Sequence, residues 1–291
     1  MKIRKLIATI MAMVMIIAMT VMPVSATTFN NLTLAGNTGY TTQITSTNDY
    51  TPISVKKMAD DWVTSAPFTY AEASNVSWSW PNGGASNFDV NATVTETEPN
   101  SGEYYATLNV KKATSAVSGA YSVRATWMYD TDQELETTMD LTLVIPGNGE
   151  NATVKVFIDG TNTAIDANNF TVTNPSVAAT AGTYGYTTPV TALAKMKAIG
   201  DIANYTPANG DYINSITKTG TLTKTASGWY GWQYRVFKHI GSSYQKQDPS
   251  LTLGAATYKL DAGDIVVWYF GLYDATTEAH FEGYNFDAIF P

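Results

Sequence analysis

The 291-residue chain carries 25 acidic against 17 basic side chains, a formal charge of −8, and that excess of carboxylates disfavours nucleic acid and anionic lipid as partners. It has no cysteine, which excludes disulfide staples, thiolate chemistry, c-type haem attachment and a lipidated-cysteine anchor. Only 14% of residues are charged, while threonine, serine, asparagine and tyrosine abound, a composition suited to contacts through hydroxyls, amides and rings.

Residues 1–26 read as a signal peptide. Lys2, Arg4 and Lys5 give a basic start, Leu6 to Met22 an apolar run, and Pro23-Val24-Ser25-Ala26 a small-residue exit. Cleavage after Ala26 is expected over a retained anchor because no stop-transfer charge cluster follows. The membrane is then met only during export, and the mature chain is secreted, extracellular or at the cell surface. An exported chain without disulfides also favours a prokaryotic source. No hydrophobic tail or basic stop precedes Phe290-Pro291, so no membrane or wall anchor is read there.

The remaining length fits two domains. Ile145-Pro146-Gly147-Asn148-Gly149-Glu150 interrupts two alternating strands with residues that break a ladder, which sets a first domain at 27–146, a linker at 147–150 and a second domain at 151–291. In the first, Thr51-Pro52 opens a segment whose Val55, Met58, Ala59, Trp62 and Val63 form a helical stripe, predicting a short helix within 51–64. Val76 to Trp80 predicts a short strand. Period-two rows follow at Phe88/Val90/Ala92/Val94, Tyr104/Ala106/Leu108/Val110, Tyr121/Val123/Ala125/Trp127/Tyr129 and Met139/Leu141/Leu143/Ile145. Their turn-rich breaks have sandwich-like spacing.

Ser118-Gly119-Ala120-Tyr121-Ser122-Val123 resembles the late-strand signature of immunoglobulin-like domains, with Val123 at the position of the usual cysteine and an upstream strand tryptophan at Trp78 or Trp80. The resemblance covers about residues 65–146. It implies a β-sandwich and a structural role for Tyr121 as a corner tyrosine.

The second domain opens with an apolar strand at 153–158. Thr188 and Pro189 then start a helix whose Val190, Leu193, Ala194, Met196 and Ile199 form a stripe ending at Gly200. Strands are expected at 212–216, 219–225, 229–237, 256–260 and 265–270, the last apolar on both faces and therefore central. Gly263 suits a positive backbone angle in a tight turn whose amides Asp264 can accept. The fold class is thus mainly β, a sandwich followed by a small α+β domain with one amphipathic helix.

Tyr212-Ile213-Asn214-Ser215-Ile216, Gly231-Trp232-Gln233-Tyr234-Arg235-Val236, and Tyr258-Lys259-Leu260 with Gly263-Asp264, Ile265 and Trp268 resemble, in order, the motifs of the transcobalamin-like C-terminal domain. That family is a β-grasp-like module of secreted prokaryotic proteins and of the animal cobalamin carriers. The match covers about residues 153–271. It departs from the family after the Trp-x-Tyr strand, where Phe237-Lys238-His239-Ile240-Gly241 replaces an Asn-Gly turn, and it lacks the large helical domain with which the carriers enclose their ligand. A corrinoid is implied as cofactor by this resemblance alone; the residues themselves imply none.

Trp229 and Tyr230 stand beside Gly228 and Gly231 and are expected to be exposed and available to a ligand. Trp232, Tyr234 and Trp268 complete the candidate binding residues, although rings on one strand face can equally fill a small core. Catalysis and metals find little support. His239 and His280 are the only histidines, no Gly-x-Ser-x-Gly elbow or phosphate-binding glycine loop occurs, and Asp130-Thr131-Asp132-Gln133-Glu134 lacks the glycine and closing glutamate of an EF-hand. The sequence therefore reads as a secreted, non-catalytic surface protein that adheres to an envelope or extracellular protein or glycan through its aromatic C-terminal domain. Alternatives are an extracellular binder of a small flat cofactor and a self-assembling structural protein whose segment Phe281 to Phe290 adds to a neighbour.

Overall fold

Alternating side chains build two β bodies, seen in a computed structural model that describes residues 29–36, 40–130, 134–159, 176–207, 213–218, 223–225, 230–241, 243–247 and 253–272. The predicted signal peptide, Asp132, Trp229, His280 and the segment Phe281 to Phe290 lie outside these residues. No helix among the described residues is long and apolar enough to cross a membrane.

The first body contains strands β1 (Phe29–Leu34), β2 (Thr41–Gln43), β3 (Thr51–Ala59) and β4 (Ser65–Ala66), the short helix α1 (Tyr70–Ser74), then β5 (Val76–Ser79), β6 (Phe88–Glu96), β7 (Tyr104–Lys112), β8 (Gly119–Asp130) and β9 (Leu135–Ile145). One sheet runs β1-β3-β7-β6 with β4 on β3, and the facing sheet runs β2-β9-β8-β5. Ile53, Val55, Ala106, Leu108 and Val110 of the first meet Val123, Ala125, Trp127, Leu141 and Leu143 of the second in one core. This is the expected sandwich.

The predicted helix within 51–64 is instead β3. Ile53 and Val55 are buried at period two, and Thr51, Ile53 and Val55 pair antiparallel with Val110, Leu108 and Ala106. Branched side chains at alternating positions favour that extended pairing, and the sheet partner overrides the helical stripe. The helix that does form, α1, begins at Thr69, whose hydroxyl caps Glu72 N–H while the Glu72 carboxylate accepts from Thr69 N–H and Lys57. Tyr121 donates its hydroxyl to Val117 O at 2.8 Å, four residues back, and its ring packs edge-on against Phe88.

The second body contains β10 (Ala152–Asp159), β11 (Ser176–Ala179), helix α2 (Pro189–Ile199), β12 (Ile202–Pro207), β13 (Ile213–Lys218), β14 (Thr223–Thr225), β15 (Tyr230–Ile240), β16 (Ser243–Gln247) and β17 (Ile265–Leu272). Its main sheet runs β11-β10-β17-β15-β16, and a smaller one runs β12-β13-β14. The apolar run at 265–270 is the central strand, parallel to β10 and antiparallel to β15. Helix α2 starts in a reciprocal Thr188/Thr191 cap with Pro189 at its first turn and ends at Gly200, whose φ is 85°. It buries Pro189, Ala192, Leu193 and Met196; Ala194 is only half-buried and Ile199 is exposed.

Residues 256–260 are not a strand. Thr257 and Tyr258 N–H both donate to Gly254 O, closing a turn, and Tyr186 donates its buried hydroxyl to Thr257 O at 2.7 Å. This segment is therefore a loop outside the sheet, anchored by Tyr186. At its end Gly263 takes φ 89° and Asp264 accepts the Asp261 N–H at 2.9 Å, as the turn chemistry requires.

Candidate functional site

The candidate binding rings are arranged by register. Trp232 lies opposite Phe270 and Tyr234 opposite Trp268, so all four share one face of the β15/β17 pair. That face is the core. Trp232 meets Phe270 edge-on at 5.5 Å between centroids, Tyr234 lies 5.6 Å from Trp268, and the Tyr234 hydroxyl donates to Leu253 O at 2.8 Å. Trp268 is 1% exposed, and Trp232, Tyr234 and Trp268 belong to the same core as Ala192, Leu193 and Met196 of α2. A flat ligand could reach these faces only by opening the core. Tyr230 opens β15; Trp229, just before it, lies outside the described residues.

The charged groups of this domain converge at the junction with the sandwich. Lys259, on the loop before β17, places its ammonium 2.5 Å from Glu150 Oε2 and donates to Ser118 Oγ at 2.9 Å, while Ser118 donates to Glu150 Oε1 at 2.7 Å. Asp261 lies 4.0 Å from Lys259 on one side and 2.6 Å from Lys238 on the other, and Lys238 is also 3.5 Å from Asp264. The hydrogen bond from Lys259, aided by that from Ser118, holds the Glu150 carboxyl below its ordinary range. Burial pushes Asp264 up against the opposing pull of the Asp261 N–H and Lys238. Burial works against the Lys238 charge, yet its bond to Asp261 and the surrounding negative groups leave it above the ordinary lysine value. Tyr258 is pushed up to about 12 by burial, so its hydroxyl stays protonated at neutral pH. Each of these ions has an opposite charge beside it, and the network reaches the sandwich through the Ser118 hydroxyl, which bonds both Lys259 and Glu150.

Residues 147–150, beside this network, are held as well. Gly147 N–H donates to Tyr184 O, and Gly149 and Glu150 N–H both reach Gly185 O. The two chain segments pass so closely that a Cβ on Gly185, whose φ is 74°, would lie 2.2 Å from Gly147 O. Only glycine allows both that angle and that approach.

Among the described residues, the most exposed large apolar side chains lie elsewhere, on the tight hairpin between β3 and β4. Trp62 is 66% exposed and Val63 83% exposed. Asp61 fixes the tip: its Oδ1 accepts Val63 N–H at 2.9 Å and Thr64 N–H at 2.8 Å, and its Oδ2 accepts the Thr64 hydroxyl at 2.5 Å. Those three bonds, the hydroxyl's foremost, hold the Asp61 carboxyl below its ordinary range. Trp62 itself sits at φ 56°, a left-handed conformation that costs a bulky residue about 1–3 kcal/mol. Beside it, Asp60 accepts from Asn31 at 3.1 Å. The site is an indole held out on a strained turn and flanked by carboxylates and amides.

Sequence reasoning missed it because Trp62 and Val63 fell into the apparent helical stripe. The signal available was Asp60-Asp61 just before Trp62, since an aspartate accepting the amides two and three residues on marks a turn.

No protein-family model and no curated protein matches the chain. Among solved structures it is similar to surface layer protein SbsC, domains 6-7, at 11% identity, covering 84% of this chain and 99% of that one with a TM-score of 0.25. It is also similar to the zebrafish RET cadherin-like domains 1 to 4, at 8% identity, covering 84% and 51% with a TM-score of 0.25.

Proposed function

We propose that this chain is an exported, non-catalytic binding protein of the cell surface, and that its recognition element is the Trp62–Val63 hairpin tip of the sandwich. The observation that carries this reading is the contrast between rings: Trp62 is strained, fixed and exposed, while Trp232, Tyr234 and Trp268 are spent on the core. Strain retained at a displayed aromatic is a mark of a functional position. The chemistry of the tip suits an envelope or matrix glycan, whose C–H faces stack on an indole and whose hydroxyls donate to Asp60 and Asn31. The basic and apolar character of residues 1–26 supports export. The strand, helix, strands order supports the transcobalamin-like likeness of residues 153–271, which forms part of the proposal with the second domain as a companion joined to the sandwich where Ser118 bonds Glu150 and Lys259.

Co-sedimentation with isolated envelope fractions tests it. Trp62→Ala abolishes sedimentation without lowering the melting temperature. Undiminished sedimentation of that variant would transfer recognition to another surface.

A further inference from the structure

Among the described residues, the sandwich has one long strand edge with no strand beside it. Strand β6 pairs with β7 along its whole length, and no described strand lies on its other side. A free edge presents a row of unpaired backbone N–H and C=O groups and is a template for another strand. The other described edges are short, broken or guarded: β2, β5, β11 and β14 have at most four residues, β1 carries a bulge between Phe29 and Asn31, β12 has register breaks and ends in Pro207, and β16 contains Lys246. Strand β6 has nine residues, no proline and no basic side chain, with its two carboxylates at Asp89 and Glu96.

Its side chains point to the same conclusion. The row Phe88, Val90, Ala92, Val94 faces the core side, yet only its ends are covered: Phe88 is buried under Trp80 and Val94 packs on the core, while Val90 is 45% exposed and Ala92 is exposed. At the Phe88 end, Ala113 N–H and Val117 N–H close on Asn87 O and Oδ1, which leaves Asp89 to Thr95 as the open stretch. That stretch reads the same on its apolar face in both directions, Val-x-Ala-x-Val, and its midpoint is Ala92.

We propose that β6 is a homotypic docking edge, where two copies of this chain pair antiparallel about a two-fold axis through Ala92. In that register Val90 faces the second copy's Val94 and Ala92 faces its own equivalent, closing the exposed apolar row. On the other face Asn91 meets Thr93 and Asp89 meets Thr95. No carboxylate opposes a carboxylate. A one-residue slip would put valine opposite threonine and turn the apolar row outward, so the register is specified. An edge that is complementary to itself makes an isologous, closed dimer with two four-strand paths fused into one sheet. Two Trp62 tips would then be carried on one particle.

The experiment uses the purified exported protein. Light scattering on the wild type shows a dimer that dissociates on dilution, and Ala92→Lys, which sets two ammonium groups against each other at the axis, is monomeric at the same concentration and melts like the wild type diluted to monomer. Because the chain has no native cysteine, Ala92→Cys reports the register directly: a short bis-maleimide links it into a covalent dimer, whereas Leu135→Cys, exposed on the β8–β9 hairpin, stays unlinked. A wild type that remains monomeric at the highest soluble concentration overturns the proposal. So does a dimer that survives Ala92→Lys, or an Ala92→Cys chain that links no faster than Leu135→Cys.

Discussion

Lys259 and Ser118 are separated by 141 residues, yet the ammonium of one donates to the hydroxyl of the other at 2.9 Å. Glu150 completes the triangle, accepting from both. The two bodies are therefore joined by a charged contact whose strength depends on pH. Glu150 is held below its ordinary value of 4.5, so its contribution is fully present above pH 4.5 and is lost as pH falls through the lowered value. Its side chain is 40% exposed, which limits the pair to about 0.5 kcal/mol. Glu150→Gln is expected to lower stability by that amount at pH 7 and by nothing at acid pH, as read by urea melts at the two pH values. An equal loss at both would show that the charge is not the source.

Gly185 controls the same junction through backbone packing. Gly185→Ala must relieve both a φ of 74° and a 2.2 Å approach to Gly147 O, so a destabilisation of about 2 kcal/mol or more is expected. Thermal unfolding checks it. Gly149→Ala provides the comparison, since its φ is 86° but nothing lies within 4 Å of an added Cβ, and it should cost less.

At the hairpin tip, stability and recognition are predicted to move in opposite directions. Trp62→Gly removes the left-handed strain of an exposed side chain and is expected to stabilise the fold by about 1 kcal/mol while eliminating envelope binding. Calorimetry and sedimentation on the same preparation measure both. A variant that is less stable would mean that the indole packs on the hairpin.

The buried rings should behave as structure. Trp268→Ala empties a 1% exposed site beside Tyr234 in the core and is expected to cost about 3–5 kcal/mol. Among the described residues the indole Nε1 of Trp268 has no hydrogen-bond partner, so Trp268→Phe loses packing but removes a buried orphan donor and should cost far less. Chemical denaturation distinguishes the two.

Much of the architecture was legible because the physics is local. The rows at Phe88, Tyr104, Tyr121 and Met139 state their own period, and Thr188, Pro189 and Gly200 mark both ends of α2. The segment at 51–64 was misread because Val55, Met58, Ala59 and Trp62 fit a helical period, while the partner that makes Thr51–Ala59 a strand, β7, lies some fifty residues away. Residues 256–260 carried strand-like residues, but hydrogen bonds from Tyr186 and to Thr187 O, far upstream, hold them as a loop. The motif tryptophans were visible as a group, whereas their burial depended on how β15 registers with β17. The strain at Trp62 is a backbone property that no side-chain pattern states.

Hydroxyl-radical footprinting with and without isolated envelope material tests the central claim most directly, because it reads every ring in one experiment. Trp62 should oxidise readily in the free protein and be protected when envelope is added, with Trp232 and Trp268 protected in both samples. Unchanged oxidation of Trp62 on binding, or protection appearing instead on residues of the second domain, would contradict the account.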